Sequence, residues 1–308
     1  MNTKVINTVI CAALVLLCGC AKEGVYRPEH KISRVWQTDR HEYLPLSQDM
    51  GDTTIYASER HLAELWTWDG DNLLSIAYYD TTGKHLTTLH FEYAKDGLFA
   101  KPQLTRVWDD VTRNFSLYKY DDKGKVLQQI EAYQPDSTLV GYITLTRTGD
   151  HVTHIEMVQT LYGKYPVQAA GYTFTADLFW TGENVTQVNY TYVQGDITGV
   201  GSDALQYDNK VNPLQGSFAQ LVGPISQGLA GVGRSITTGI GSRLNLAMLS
   251  KNNVTSRQAM GVDGDYSFAY DYSGDVPVKR TMMRKYVYET MTETEQTVLE
   301  YEYVPEED

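Results

Sequence analysis

The chain is predicted to be mainly β: an extended or curved antiparallel sheet of hairpins in meander order, with a short apolar, partly helical insertion near 216–250. Three observations predict it. Tyr outnumbers Phe 23 to 7, an excess that suits half-buried pleated surfaces better than a deep helical core. A pair of apolar residues three apart, preceded by a turn of Gly, Asp, Asn or Lys, recurs at Ile32/Val35, Leu73/Ile76, Leu86/Leu89, Leu104/Val107, Leu127/Ile130, Val152/Ile155 and Val185/Val188. Period-2 alternation brackets those turns, as in Trp66 to Tyr79 around Asp69-Gly70-Asp71-Asn72, which supplies the φ > 0 positions of tight hairpins.

The elements follow in order. Residues 1–19 read as a lipoprotein signal peptide: Lys4 supplies the positive start, and the apolar run Val9 to Cys18 is too short to span a bilayer. Leu17-Cys18-Gly19-Cys20 resembles a bacterial lipobox, which makes Cys20 the lipidated mature N-terminus. Cys11 and Cys18 leave with the signal, so the mature chain has no second thiol for a disulfide or thiolate site. Residues 20–30 form a tether, and 31–308 a single mainly β domain. Copies of the paired pattern are unevenly spaced, which excludes a solenoid of fixed period and favours a meander of unequal hairpins. Beyond Gly195 to Gly201, the residues Phe218, Leu221, Val222, Ile225, Leu229 and Val232 recur at helical spacing. Gly223, Pro224, Gly228 and Gly231 interrupt them, each Gly costing about 0.8–1 kcal/mol, so short helices or an irregular lobe are expected. Strands resume at Tyr266 to Tyr272, Lys279 to Tyr288 and Val298 to Val304.

Composition narrows the function classes. With 42% hydrophobic and 21% charged residues the chain is globular. A net charge of −12 and no basic cluster argue against nucleic-acid binding. Catalytic constellations do not emerge, no cofactor is implied and no metal site is expected. His151 and His154 fall on a strand, where residues three apart diverge. The adjacent Asp109 and Asp110 read as a turn rather than the facing carboxyls of a glycosidase. The glycines from 228 to 241 lack a Gly-Lys-Ser/Thr sequence.

The tyrosine-rich hairpins, Trp180-Thr181-Gly182-Glu183-Asn184-Val185 leading into Val188-Asn189-Tyr190-Thr191-Tyr192, and Leu249-Ser250-Lys251-Asn252-Asn253 before the final strands resemble the uncharacterised lipoproteins of Bacteroides-type bacteria with YD-like hairpins. That resemblance implies an envelope lipoprotein of antiparallel sheet and brings no activity. Asp-Ser/Thr-Thr triplets at Thr53, Thr81 and Ser137 resemble O-glycosylation sites of such proteins, with ordinary turn chemistry as the competing reading. The expected function is a noncatalytic binding or structural module of the outer membrane, lipid-anchored, on its periplasmic or cell-surface face. Its partners are the membrane and a glycan, lipid or envelope protein. Trp66, Trp68, Tyr78 and Tyr79 form the candidate ligand platform. The alternative is a carrier of an apolar ligand in a sheet-lined groove, with Leu221, Ile225, Leu229 and Val232 as its lid.

Overall fold

The structure, a computed structural model, describes residues 26–45, 52–94, 102–159, 172–225, 248–260 and 265–305. It is an antiparallel meander of β1 (Ile32–Pro45), β2 (Thr54–Ala57), β3 (His61–Asp69), β4 (Asn72–Tyr79), β5 (His85–Ala94), β6 (Gln103–Asp109), β7 (Phe115–Tyr120), β8 (Leu127–Tyr133), β9 (Leu139–Thr148), β10 (His151–Gln159), β11 (Tyr172–Thr181), β12 (Asn184–Gln194), β13 (Ile197–Val211), β14 (Asn252–Met260), β15 (Tyr266–Ser273), β16 (Val276–Val287) and β17 (Met291–Tyr303). A single helix among the described residues, α1 (Phe218–Ile225), lies between β13 and β14. The predicted antiparallel hairpins are thus observed, but the sheet does not stay open. β1 pairs with β17 on one side and β3 on the other, closing a 16-strand barrel. β2 extends β3 along the last turn of β1, pairing Arg40 to Tyr43 with Ala57 to Thr54. Closure joins the first and last strands of the chain, a pairing with no local signal.

Two ends can be distinguished. At the base lie residues 26–31, the turns at Gly70, Gly124, Gly149, Gly182 and Gly274, and α1; at the rim lie the turns after β4, β6, β8 and β12. Every strand that rises from the base carries a one-residue bulge near its start. The extra residues are Ser33, Leu74, Thr105, Gln128, Thr153, Thr186, Thr255 and Val278. A bulge returns the side chain two places on to the same face, so residues three apart both point inward. This explains the paired pattern in the sequence, and it adds two copies, Val254/Arg257 and Pro277/Arg280. Leu86/Leu89 is not a copy: Leu86 is itself the extra residue of a shift at the rim.

The neighbouring strands answer seven of these eight bulges with an aromatic donor. Trp68 Nε1 donates to the Ile32 carbonyl at 2.7 Å, Tyr93 to Leu73 at 3.0 Å, Tyr120 to Leu104 at 2.7 Å, Trp180 to Val152 at 2.8 Å and Tyr303 to Pro277 at 2.6 Å. Tyr207 donates to Val185 and Tyr270 to Val254 in the same way. Burial pushes the Tyr207 hydroxyl up to about 12. The bonds stitch the first inward residue of one hairpin to the next around the base, and the bulges add the twist a closed barrel needs.

A 16-strand ring ordinarily encloses a water channel. Here its inner face is apolar and packed, with Ile32, Leu73, Ile76, Leu104, Ile130, Ile143 and Leu299 at no more than 1% exposure. The base is plugged by the chain itself. Tyr26, expected in the tether, is 2% exposed and donates to the Pro213 carbonyl at 2.6 Å. Leu214, Phe218, Leu221 and Met248 join the same core, and Tyr118 donates to Ala219 of α1. The outer face carries ion pairs: Arg34 pairs with Glu302 at 2.9 Å, Arg60 with Glu300 at 2.9 Å, Arg106 with Glu92 at 3.6 Å and Lys279 with Asp271 at 3.6 Å. Exposed apolar residues, among them Phe179, Val193, Val200 and Met283, stand between these ion pairs on the same wall.

Candidate functional site

The repeated hairpin makes the departure from it conspicuous. Rising strands place Val35, Ile76, Val107, Ile130, Ile155 and Val188 at the second inward position, each at most 2% exposed. In β14 and β16 that same position holds Arg257 and Arg280, 3% and 7% exposed. Aliphatic side chains satisfy the position six times over, so the arginines are not demanded by the architecture. A buried guanidinium costs free energy unless it is paired and hydrogen-bonded.

Their surroundings are charged and aromatic. Asp203 Oδ1 of β13 lies 3.1 Å from Arg257 Nε, both side chains essentially inaccessible. The Arg257 guanidinium stands 5.1 Å from the Tyr266 ring centre, and Arg284, opposite Tyr266 in the β15–β16 register, stands 4.8 Å from the same ring. Arg284 also covers Tyr286 at 3.9 Å and approaches Glu295 at 3.8 Å. Arg280 lies 6.0 Å from Phe268, and its charge lowers the proton affinity of Tyr270 and Tyr301 against the larger upward push of burial. Guanidinium planes held over aromatic faces keep their N–H edges directed sideways. Arg257 Nη2 is buried without a hydrogen-bond acceptor among the described residues.

The site opens toward the rim. Arg284 has 16% side-chain exposure, Glu295 28% and His41 41%. On the flank, Tyr190 and Tyr192 lie across Gly201 and Gly199 of β13, where a Cβ would come within 2.5 and 2.1 Å of the rings. These glycines let the two rings lie along the wall.

The residues singled out in the sequence are distributed differently. Trp66 and Trp68 stack at 6.3 Å inside the base around Tyr26, and Tyr78 is 3% exposed; Tyr79, the next residue, lies on the other face beside His85. The four therefore share no exposed surface. Leu221 is 1% exposed in a helix that packs on β6, β7 and β8. Ile225 closes that helix, while Leu229, Val232 and Cys20 lie outside the described residues. Thr53, Thr81 and Ser137 are all exposed in connections at the rim. Asp109 accepts the backbone N–H groups of Val111 and Thr112, and Asp110 that of Thr88, as turn residues do. Sequence reading missed Arg257, Arg280 and Arg284, and it missed His41, Glu293 and Glu295, whose ligand atoms lie within 4.8 Å of one another. The one available signal was the hairpin pattern itself, with Arg in the place of Val or Ile.

Fold and site together define a closed, plugged β-barrel with ion pairs on its outer wall and a charged mouth. No family model matches the chain, and no curated protein does. Among solved structures it is similar to a porin-like protein from Bacteroides uniformis, at 8% identity and TM-score 0.49, covering 92% of this chain and all of that one. A porin-like protein from Bacteroides vulgatus is similar at 11% identity and TM-score 0.32, covering 90% of this chain and all of that one. Neither score carries an argument, and the reading of this chain rests on its own residues.

Proposed function

We propose that this protein is a noncatalytic, lipid-anchored module of the outer envelope that binds an acidic glycan at the rim mouth of its barrel. The observation that carries the reading is the replacement of the aliphatic residue by arginine at two of the eight equivalent positions, with a third arginine above them. Guanidinium forks recognise carboxylate or sulfate groups, and the flanking Tyr266, Tyr286, Tyr190 and Tyr192 offer ring faces for sugars. Asp203 orients Arg257, and the more exposed Glu295 orients Arg284 and offers acceptors to hydroxyl groups. An apolar cargo is less well served, because Tyr26, Leu214, Phe218, Leu221 and Met248 already cover apolar wall at the base.

The anchor follows from Cys20. Only five residues separate it from the buried Tyr26, a reach of about 20 Å at roughly 3.3–3.6 Å per residue. This tether holds the base toward the membrane and turns the mouth away from it.

Calorimetric titration of the detergent-solubilised lipoprotein with polygalacturonate oligomers, with neutral dextran as control, tests the binding. Saturable heat with the first alone, weakened at least tenfold by Arg284→Gln, is expected. Absence of binding by the unmodified protein, or equal binding by the variant, overturns the site. For the anchor, Cys20→Ser is expected to move the protein into the salt-washed soluble fraction; retention on membranes contradicts it.

A further inference from the structure

We infer that His41, Glu293 and Glu295 form a binding site for a divalent transition-metal ion on the inner wall of the rim. The β1–β17 register sets His41 opposite Glu295 and Tyr43 opposite Glu293. Alternation carries this set onto the face of Val35, Leu299 and Tyr301, which are buried in the core. One imidazole nitrogen and two carboxylate oxygens then lie within 4.8 Å of one another, each residue half-buried. Three protein ligands drawn together, with positions left facing the lumen for water or a ligand oxygen, suit Zn2+ and its first-row neighbours. Ca2+ asks for six to eight oxygens, and Mg2+ prefers oxygens alone with several waters.

Electrostatics favour a cation here. Glu293 and Glu295 are next-but-one on the same face, and like charges so placed repel. Arg284, 3.8 Å from Glu295, offsets only one of the two carboxylate charges. The carboxylates are also held in place before any ion arrives. Tyr43 hydrogen-bonds to Glu293, Tyr288 reaches the same carboxylate at 3.3 Å, and His41 Nδ1 stands 3.7 Å from Glu295. Outer partners of this sort orient metal ligands and set affinity. The three residues come from opposite ends of the chain, so barrel closure creates the set. Glu295 is shared with the proposed glycan mouth, and the metal site is tested without a glycan.

The experiment is calorimetric titration of the metal-stripped, detergent-solubilised lipoprotein with ZnCl2, paired with melting temperature. One saturable site and a raised melting temperature are expected. His41→Ala and Glu293→Gln should each weaken binding at least tenfold and abolish the thermal shift, while the other histidines remain. Arg284→Gln should retain the site and bind Zn2+ at least as tightly. Circular dichroism checks the fold of each variant, and the two ligand variants stand in for each other if one fails to fold. No saturable Zn2+ binding by the unmodified protein overturns the inference, as does binding that persists unchanged in either folded ligand variant.

Discussion

The arc of the barrel from β1 through β12 and the arc from β13 through β17 are built from the same bulged hairpin and are filled differently. In the first, the second inward position is Val or Ile throughout, and the interior is closed mainly by apolar packing, with the buried Glu64 accepting from Trp66 Nε1 at 2.8 Å. In the second, the position is Arg twice, and Asp203, Tyr266, Arg284 and Glu295 gather around it. The backbone tolerates both fillings because the bulge, not the side chain, sets the inward direction. What differs is the purpose a side chain can serve. An aliphatic residue seals, whereas a guanidinium flanked by aromatic faces holds donors in fixed directions at the cost of desolvation.

Exchanging the fillings should break this comparison most severely in the aliphatic arc. Ile76→Arg places an unpaired charge at a position with 0% exposure and is expected to abolish folding, read as loss of the cooperative thermal transition. In the charged arc, Arg257→Met removes the ion pair with the buried Asp203 and should lower stability by about 3–5 kcal/mol. The double variant Asp203→Leu/Arg257→Met should recover that loss or exceed wild type by about 1–4 kcal/mol in urea unfolding. An additive double loss would show that the pair is part of the structural core.

The aromatic donors at the base should behave alike in both arcs. Tyr93→Phe and Tyr303→Phe each remove one hydrogen bond while keeping the ring, and a loss of about 0.5–1.5 kcal/mol apiece is expected from denaturant midpoints. A large effect in only one arc would contradict the shared hairpin.

The smallest effect concerns pH. Hydrogen bonds from Thr82 hold the Asp80 carboxyl below its usual range, backbone N–H groups of Lys125 and Val126 do so for Asp121, and Thr138 does so for Asp136. These turns belong to both ends of the barrel. A depressed folded-state pKa contributes stability that is complete above the unfolded value near 3.9 and is lost as pH falls through the folded value. Melting temperature should therefore stay level from pH 7 to about 5 and fall below about pH 4.

Much of the first arc was legible in the sequence, because turn, apolar pair and alternating aromatics are local signals. The second arc was less so. Val254/Arg257 and Pro277/Arg280 escaped a search for apolar pairs for the reason that makes them informative. Closure was illegible, since nothing in residues 32–45 announces a partner at 291–303. The ligand platform does not assemble because alternation along β3 puts Trp66 and Trp68 together on the inner face, where Tyr26 covers them, while Tyr79 lies on the face opposite Tyr78.

The central claim is that the charged arc is kept for binding rather than for stability. Titrating the stable double variant Asp203→Leu/Arg257→Met with polygalacturonate oligomers, alongside its urea unfolding, tests it most directly. The account predicts a protein at least as stable as wild type whose affinity has fallen at least tenfold. Undiminished affinity in that folded variant would contradict it.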